Sequence, residues 1–389
     1  MWLTRASALT ALAFAARGAT FEASWFEIPL LRRAPEAALP SVSIVVPARD
    51  EERSIEDCAR SLCVQQFVDA EVIVVDDRST DRTPDILARL TAQFANLRVV
   101  RGEALPEGWI GKPWALVQGA AAARGAWLLF TDADSVHAKA GVASALAFAR
   151  AADVDALSIV THQELGSFAE RATLPFILGM IFYASGTLER LNDPMQPERA
   201  LANGQYVLVR RDAYDALGGH AALRGEIVED VAFARRIKAD GRFRYVLGGG
   251  TALARVRMYR SLSEVWDGFA KNLFVGADGN VWYLLGGVVF SLALSVPPVL
   301  TLHALWRGRF REAAEAAAAA LAVYAASRRG MAMVALPIAS AAYAPLGGAF
   351  FAAVALYSGW SVASGRGVRW RGRRYSGRPQ QMTDLSEER

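Results

Sequence analysis

The chain has 389 residues, 53% of them hydrophobic, and a formal charge of only +4 at pH 7. That length admits one large domain or two, and a mean hydropathy of +0.19 is too apolar for an ordinary cytosolic enzyme, so part of the chain is expected in a bilayer. Arginine crowds at one end, at Arg366, Arg369, Arg371, Arg373, Arg374 and Arg378, where it suits an anionic membrane surface better than nucleic acid, although a solvated basic tail has the same composition.

In chain order, residues 1–40 hold an apolar segment, "SALTALAFAARGATF", broken by Arg17; a membrane anchor, an interfacial helix and neither remain open. A regular pattern starts at Ser41. "SVSIVVP" predicts a strand, "SIEDCARSL" a helix with Ser54 as N-cap, and "EVIVVDD" a second strand. Cys58 and Cys63 fall on different faces of that helix, which gives neither a disulfide framework nor a zinc site, and four scattered histidines offer no metal-ligand spacing. Thr83-Pro84-Asp85 predicts a helix start with a capping hydroxyl, a proline at the first position and an acid in the first turn. "NLRVV" follows as a strand, "KPWALVQGAAAARG" as a helix closed by Gly125, and "AWLLFTD" as a fourth strand.

Such alternation predicts a parallel, doubly wound α/β sheet with a nucleotide-binding half over 41–137. The first strand is not followed by GxGxxG and no GxxxxGK[ST] occurs, which argues against a dinucleotide oxidoreductase and a P-loop ATPase. Residues 138–265 are mixed, with a helix "GVASALAFAR", strands "DALSIV" and "QYVLVRR", and a polar helix "EDVAFARRIKADG". Residues 283–306 are uncharged and long enough to span a bilayer, with a kink expected near Pro297-Pro298. The alanine-rich run after them suits either a short span or a soluble helix, and 331–360 either one tilted helix or a re-entrant pair. The arginine-rich tail is expected on the cytoplasmic side.

Four acidic stations fall at predicted element ends: Asp50, Glu51 and Glu52; Asp76 and Asp77; Asp132 and Asp134; Glu229 and Asp230. The carboxyl ends of parallel strands share one sheet edge, and carboxylates crowded there need a cation; hard oxygen donors suit Mg²⁺ or Mn²⁺. One Asp-x-Asp is weak evidence, because turn and capping chemistry produce the same tripeptide, and Asp77 can serve simply to start its turn. Glu229 and Asp230 can likewise be first-turn acids on a helix dipole.

"VSIVVPARDEE", "VIVVDDRSTDRT", "FTDADS" and "GEIVEDVAFARRIKADG" together resemble the membrane-bound family-2 glycosyltransferases with a GT-A fold, over residues 41 to about 275. The resemblance implies a Rossmann-like nucleotide-sugar-binding domain over 41–275, transmembrane helices over 276–365 and a basic cytoplasmic tail over 366–389. It implies that Pro47, Asp50, Glu52 and Asp76 border the nucleoside, that Asp132 and Asp134 hold the diphosphate through the metal, and that Asp230 is the general base beside Glu229. Lys112, flanked by Trp109 and Trp114, resembles the lysine near the nucleotide in membrane members. Asn203, Gly204 and Gln205 are implied to line the sugar pocket; His220 after two glycines is a second candidate, for which a turn role suffices.

The (Q/R)xxRW motif of processive synthases is missing. "SLSEVWDGFAKNLFVG" stands in its place and resembles carotenoid- and hopanoid-associated members, in which Trp266, Lys271 and Asn272 either close over the site or form an interfacial helix. The implied activity is inverting transfer of a hexose from a nucleoside diphosphate, expected to be UDP, to a membrane-lipid hydroxyl at the inner membrane by a multi-pass protein with its catalytic domain in the cytoplasm. The alternatives are a polyprenyl-phosphate, sphingolipid-like or surface-polysaccharide acceptor, and a scaffold that binds nucleotide sugar without turnover. Nucleic acid is not an expected partner, and oligomeric state is not legible.

Overall fold

The structure, a computed structural model, describes residues 2–364, 366, 368–370 and 373–375. Seven strands form the main sheet: β1 (Val42–Ala48), β2 (Ala70–Asp76), β3 (Leu97–Arg101), β4 (Trp127–Phe130), β5 (Ala156–Val160), β6 (Val207–Arg210) and β7 (Tyr245–Gly249). Their order is β3-β2-β1-β4-β6-β5-β7. The first four strands are parallel as the alternating pattern predicts, but β6 enters antiparallel between β4 and β5, so the sheet is mixed. That insertion follows a long excursion through helices Phe168–Ser185 and Leu188–Asn192, after which the chain re-enters the sheet from the opposite direction.

Alternation along each strand sorts the core into two layers. Ile44, Val46, Val72, Val74 and Leu129 pack with the helices Ile55–Cys63, Thr83–Thr91 and Gly141–Ala151 on one face. Val45, Leu128, Phe130, Val207 and Val209 pack with Glu229–Asp240 on the other, where Leu116 and Ala120 of Gly111–Ala122 also lie. Pro47 sits in a central strand at no cost to the ladder: β4 pairs only with Val42 to Val45, and Pro47 lies beyond it.

Three local expectations change. Ser54 stands at the N-cap position, but its hydroxyl donates to Glu51 Oε2 at 2.9 Å and caps nothing. Thr83 is the first helical residue, and its hydroxyl accepts from the Glu51 N–H at 2.8 Å. Gly125 does not close its helix, which ends at Ala122. Instead it passes so close to β1 that an added Cβ would lie 2.4 Å from the Ser43 nitrogen.

The N-terminal segment is a helix, Trp2–Ser24, followed by a short stretch in which Phe26 and Ile28 exchange backbone hydrogen bonds with Gly249 at the edge of β7. This helix packs on Phe310–Met333. Both carry charges within their length, among them Arg5, Arg17 and Glu22 in one and Arg311, Glu312, Glu315, Arg328 and Arg329 in the other. Among the described residues one helix, Ile338–Ala363, is long and apolar enough to cross a membrane. Helices Val281–Ser295 and Pro297–Trp306, bent by 43° at the expected proline break, qualify as a second only if counted as one span. Over 331–360 the chain therefore forms the end of one helix and then a single apolar one. Gly347 and Gly348 lie inside it, and added Cβ atoms there would meet Phe176 at 2.5 Å and Ser295 Oγ at 2.0 Å, so the glycines permit close helix packing. Of the basic tail, Arg371 and Arg378 lie outside the described residues.

Candidate active site

The exits of β1 and β2 are laced together. Arg49 Nη1 donates to the Asp77 carbonyl at 2.9 Å, Thr80 N to Asp50 Oδ1 at 2.7 Å, Glu52 N to Asp81 Oδ2 at 2.9 Å, and Arg82 Nε to Glu52 Oε2 at 3.1 Å. Asp76 is buried and Oδ1 accepts from Ser79 N at 3.1 Å, an Asx-type turn. Asp50 adopts a left-handed conformation, φ 53°, to enter this lacing. These carboxylates thus shape the rim, and both Asp76 and Asp77 have local partners.

A second group lies at the exit of β4. Lys112, at the start of its helix, places Nζ 2.7 Å from Asp132 Oδ1 and 2.8 Å from Glu229 Oε1. Burial opposes a charge on this lysine, but Asp132, Glu229 and Asp230 outweigh it and hold its pKa well above the ordinary value. Glu229 is buried as well; against that burial, the Lys112 charge and hydrogen bond hold it below the usual carboxylate range. Asp230 behaves in the opposite way. Burial and then the Glu229 charge raise its pKa to about 6, opposed by Lys112 and by hydrogen bonds from Val231 N at 2.9 Å and Gly204 N at 2.6 Å. Two adjacent carboxyls with pKa values driven apart are the arrangement expected of an acid–base site.

The cleft between these groups is lined by Lys112, Thr131, Asp132, Gly204, Glu229 and Asp230 on its polar side. Phe130, Phe233, Leu116, Val207 and His220 form the rest. Gly204 faces it, and an added Cβ would sit 2.9 Å from Lys112 Nζ and 3.0 Å from Asp230 Oδ2. Asn203 and Gln205 are directed elsewhere. The buried Gln205 Oε1 accepts from Thr161, Gln163 and Asn203, a network that holds the backbone on either side of Gly204. Lys271 reaches the same region from Leu262–Gly276: burial lowers its pKa against the attraction of Glu229, Asp132 and Asp230.

Asp134 and Asp132 share their surroundings with the first station. After burial, the charges of Asp134, Glu51 and Asp132 push the Cys58 thiol well above its ordinary range. Among the described residues no three His, Cys, Asp or Glu side chains form a closed metal cage. Two aspartates supply hard oxygens without such a cage, a donor set that fits a divalent cation completing its shell with water and phosphate.

Reading residues singly left the tight packing around the cleft invisible: Tyr214, Phe233 and Phe130 enclose His220. In the sequence His220 stands out only as a lone histidine after Gly218-Gly219, for which a turn role suffices.

Residues 43–218 match the family model described as Glycosyl transferase family 2. Two relatives named 4,4'-diaponeurosporenoate glycosyltransferase, from Staphylococcus aureus strains bovine RF122 / ET3-1 and USA300, are 26% identical over 67% of this chain and 68% of each relative. In fold the chain resembles the mannosyltransferase PcManGT from Pyrobaculum calidifontis, solved with GDP-Man and Mn²⁺. The TM-score is 0.54 and the identity 21%, over 88% of this chain and 96% of that one.

Proposed function

We propose that this protein, whose residues 43–218 match the family-2 glycosyltransferase model, moves a hexose from a nucleoside diphosphate, UDP in the first instance, to a membrane-lipid hydroxyl with inversion. The observation that carries the reading is Asp230: a carboxyl with a pKa of about 6, oriented by Gly204 N, in one cleft with Lys112 and Asp132. At pH 7 it is mostly ionised and accepts the hydroxyl proton. The hydroxyl oxygen bonds to the anomeric carbon from one face while the bond to the diphosphate breaks on the other, and the electron pair leaves with the diphosphate. Lys112 neutralises part of that charge. Asp132 and Asp134 would hold Mg²⁺ or Mn²⁺, which supplies the remaining neutralisation. Pro47, Asp50, Glu52 and Asp76 would border the nucleoside, with Asn203 and Gln205 fixing Gly204 at the sugar.

The apolar Ile338–Ala363 helix and the carotenoid-acting relatives support a lipid acceptor, a carotenoid or hopanoid class, met at the inner membrane by a cytoplasmic catalytic domain. The name of those relatives favours a second reading, because an "-oate" acceptor is already ionised and needs no base. The test is transfer of labelled sugar from UDP- and GDP-sugars into the lipid extract of membranes holding wild type or Asp230→Asn. A loss of at least about 10²-fold in the variant supports a hydroxyl acceptor, in line with general-base contributions. Retained transfer supports an ionised acceptor, carboxylate or polyprenyl phosphate. Nucleotide-sugar binding without transfer to any lipid or polymer would sink the enzyme reading in favour of a scaffold.

A further inference from the structure

We infer that His220 is a positioning residue that donates a hydrogen bond from Nε2 to a hydroxyl of the bound hexose; this rests on the glycosyltransferase reading above. The tautomer follows from satisfying both groups. Tyr214 Oη accepts from His220 N at 3.1 Å, and among the described residues the acceptor for its own hydrogen is His220 Nδ1, 3.0 Å away; a proton on Nδ1 would leave the buried phenol hydrogen unpaired. Nδ1 is therefore an acceptor, and the proton of the neutral ring lies on Nε2. The ring cannot turn away, since it stacks on Phe233 with centroids 5.4 Å apart and meets the edge of Phe130 at 4.5 Å. Among the described residues no protein group bonds Nε2, and the atom is not sealed off: His220 lines the cleft shared by Lys112, Asp132, Glu229 and Asp230.

The chemistry selects a hydroxyl. Burial lowers the imidazole pKa to about 4, with Glu229 raising it and Lys112 lowering it, so the ring is neutral at physiological pH. A diphosphate at Nε2 would face the Glu229 carboxylate without a cationic partner on the ring. Between the Lys112–Asp132 end, where the leaving group is neutralised, and Asp230, where the acceptor is deprotonated, lies the hexose. A site built to bond a hydroxyl also rejects analogues that lack it, because its own donor is then left unpaired.

The test uses the full-length protein in detergent, with calorimetric binding of UDP-glucose, GDP-mannose, UDP and GDP to wild type, His220→Phe and His220→Gln. Phenylalanine keeps the packing between Phe130 and Phe233 and removes the donor; glutamine returns an N–H donor. The expected result for His220→Phe is a loss of about 10-fold or more in affinity for the sugar nucleotide that binds, with its parent nucleoside diphosphate unchanged, as for one hydrogen bond to an uncharged partner. Partial recovery is expected in His220→Gln, and one monodeoxy sugar nucleotide should bind wild type and His220→Phe equally. Equal losses for sugar nucleotide and nucleoside diphosphate, or none for either, overturn the assignment. Failure of the wild type to bind any of the four ligands is a different result, and overturns the glycosyltransferase reading itself.

Discussion

Replacing Glu229 by Gln keeps the shape of the Lys112 contact and removes one negative charge beside Asp230. Asp230 titrates at about 6 instead of 3.8, and a gap of about two pH units is about 3 kcal/mol held against its charged form. Burial is the largest cause and Glu229 the second, with Lys112 and two backbone hydrogen bonds opposing them, so Glu229→Gln should lower the pKa, by roughly 0.5–1 pH unit or more for the loss of one adjacent negative charge. A base works when deprotonated, so with Asp230 as the proposed base transfer should fall as pH drops through about 6 in the wild type. In Glu229→Gln that acid limb moves down, and kcat/KM at pH 5.5 relative to its plateau rises from about one quarter to about one half or more. Lys112→Met removes the opposing charge, and its limb should move up by about one pH unit whatever the height of the profile. The assay is kcat/KM from pH 5 to 8.5 in each protein, with folding checked by thermal melts. Limbs that move in the same direction in the two variants, or that stay in place in both, refute the electrostatic account of the base.

Three further outcomes follow from close approaches and charge. Gly204→Ala should lower kcat about 10-fold with Tm shifted by only a few degrees, because the new Cβ meets the mobile ends of Lys112 and Asp230 and not backbone. Gly125→Ala should do the reverse: its Cβ would lie 2.4 Å from the Ser43 backbone nitrogen and 2.7 Å from the Val42 carbonyl carbon, which predicts a loss of more than about 3 kcal/mol in denaturant titration. Chelation with EDTA should abolish transfer, with Mn²⁺ or Mg²⁺ restoring it at higher concentration in Asp134→Asn than in wild type. Transfer untouched by chelator would remove the metal from the proposal.

The sequence by itself determined the strand-helix alternation through β4, because apolar period and turn chemistry are local properties. Its acidic stations also marked the sheet edge: strands that run parallel put their exits together whatever else the chain does. Hydropathy marked 283–306 and 331–360 as apolar but left the second open between one helix and a re-entrant pair, and packing decided for a single apolar helix over 338–363. What local patterns could not give was β6, whose reversed direction depends on where a long excursion returns. Nor could they give the partner of each carboxylate. Asp132 and Glu229 are 97 residues apart in the chain, and only the packing of three elements brings Lys112 between them. The hydroxyls of Ser54 and Thr83 were legible as caps, yet Glu51 took both, Ser54 by a local contact three residues away and Thr83 by a tertiary one. The same logic separates the two ends of the site: Asp230 was visible as a first-turn acid, but the pKa that suits it to take a proton comes from burial and from Glu229, which exist only once the cleft has formed.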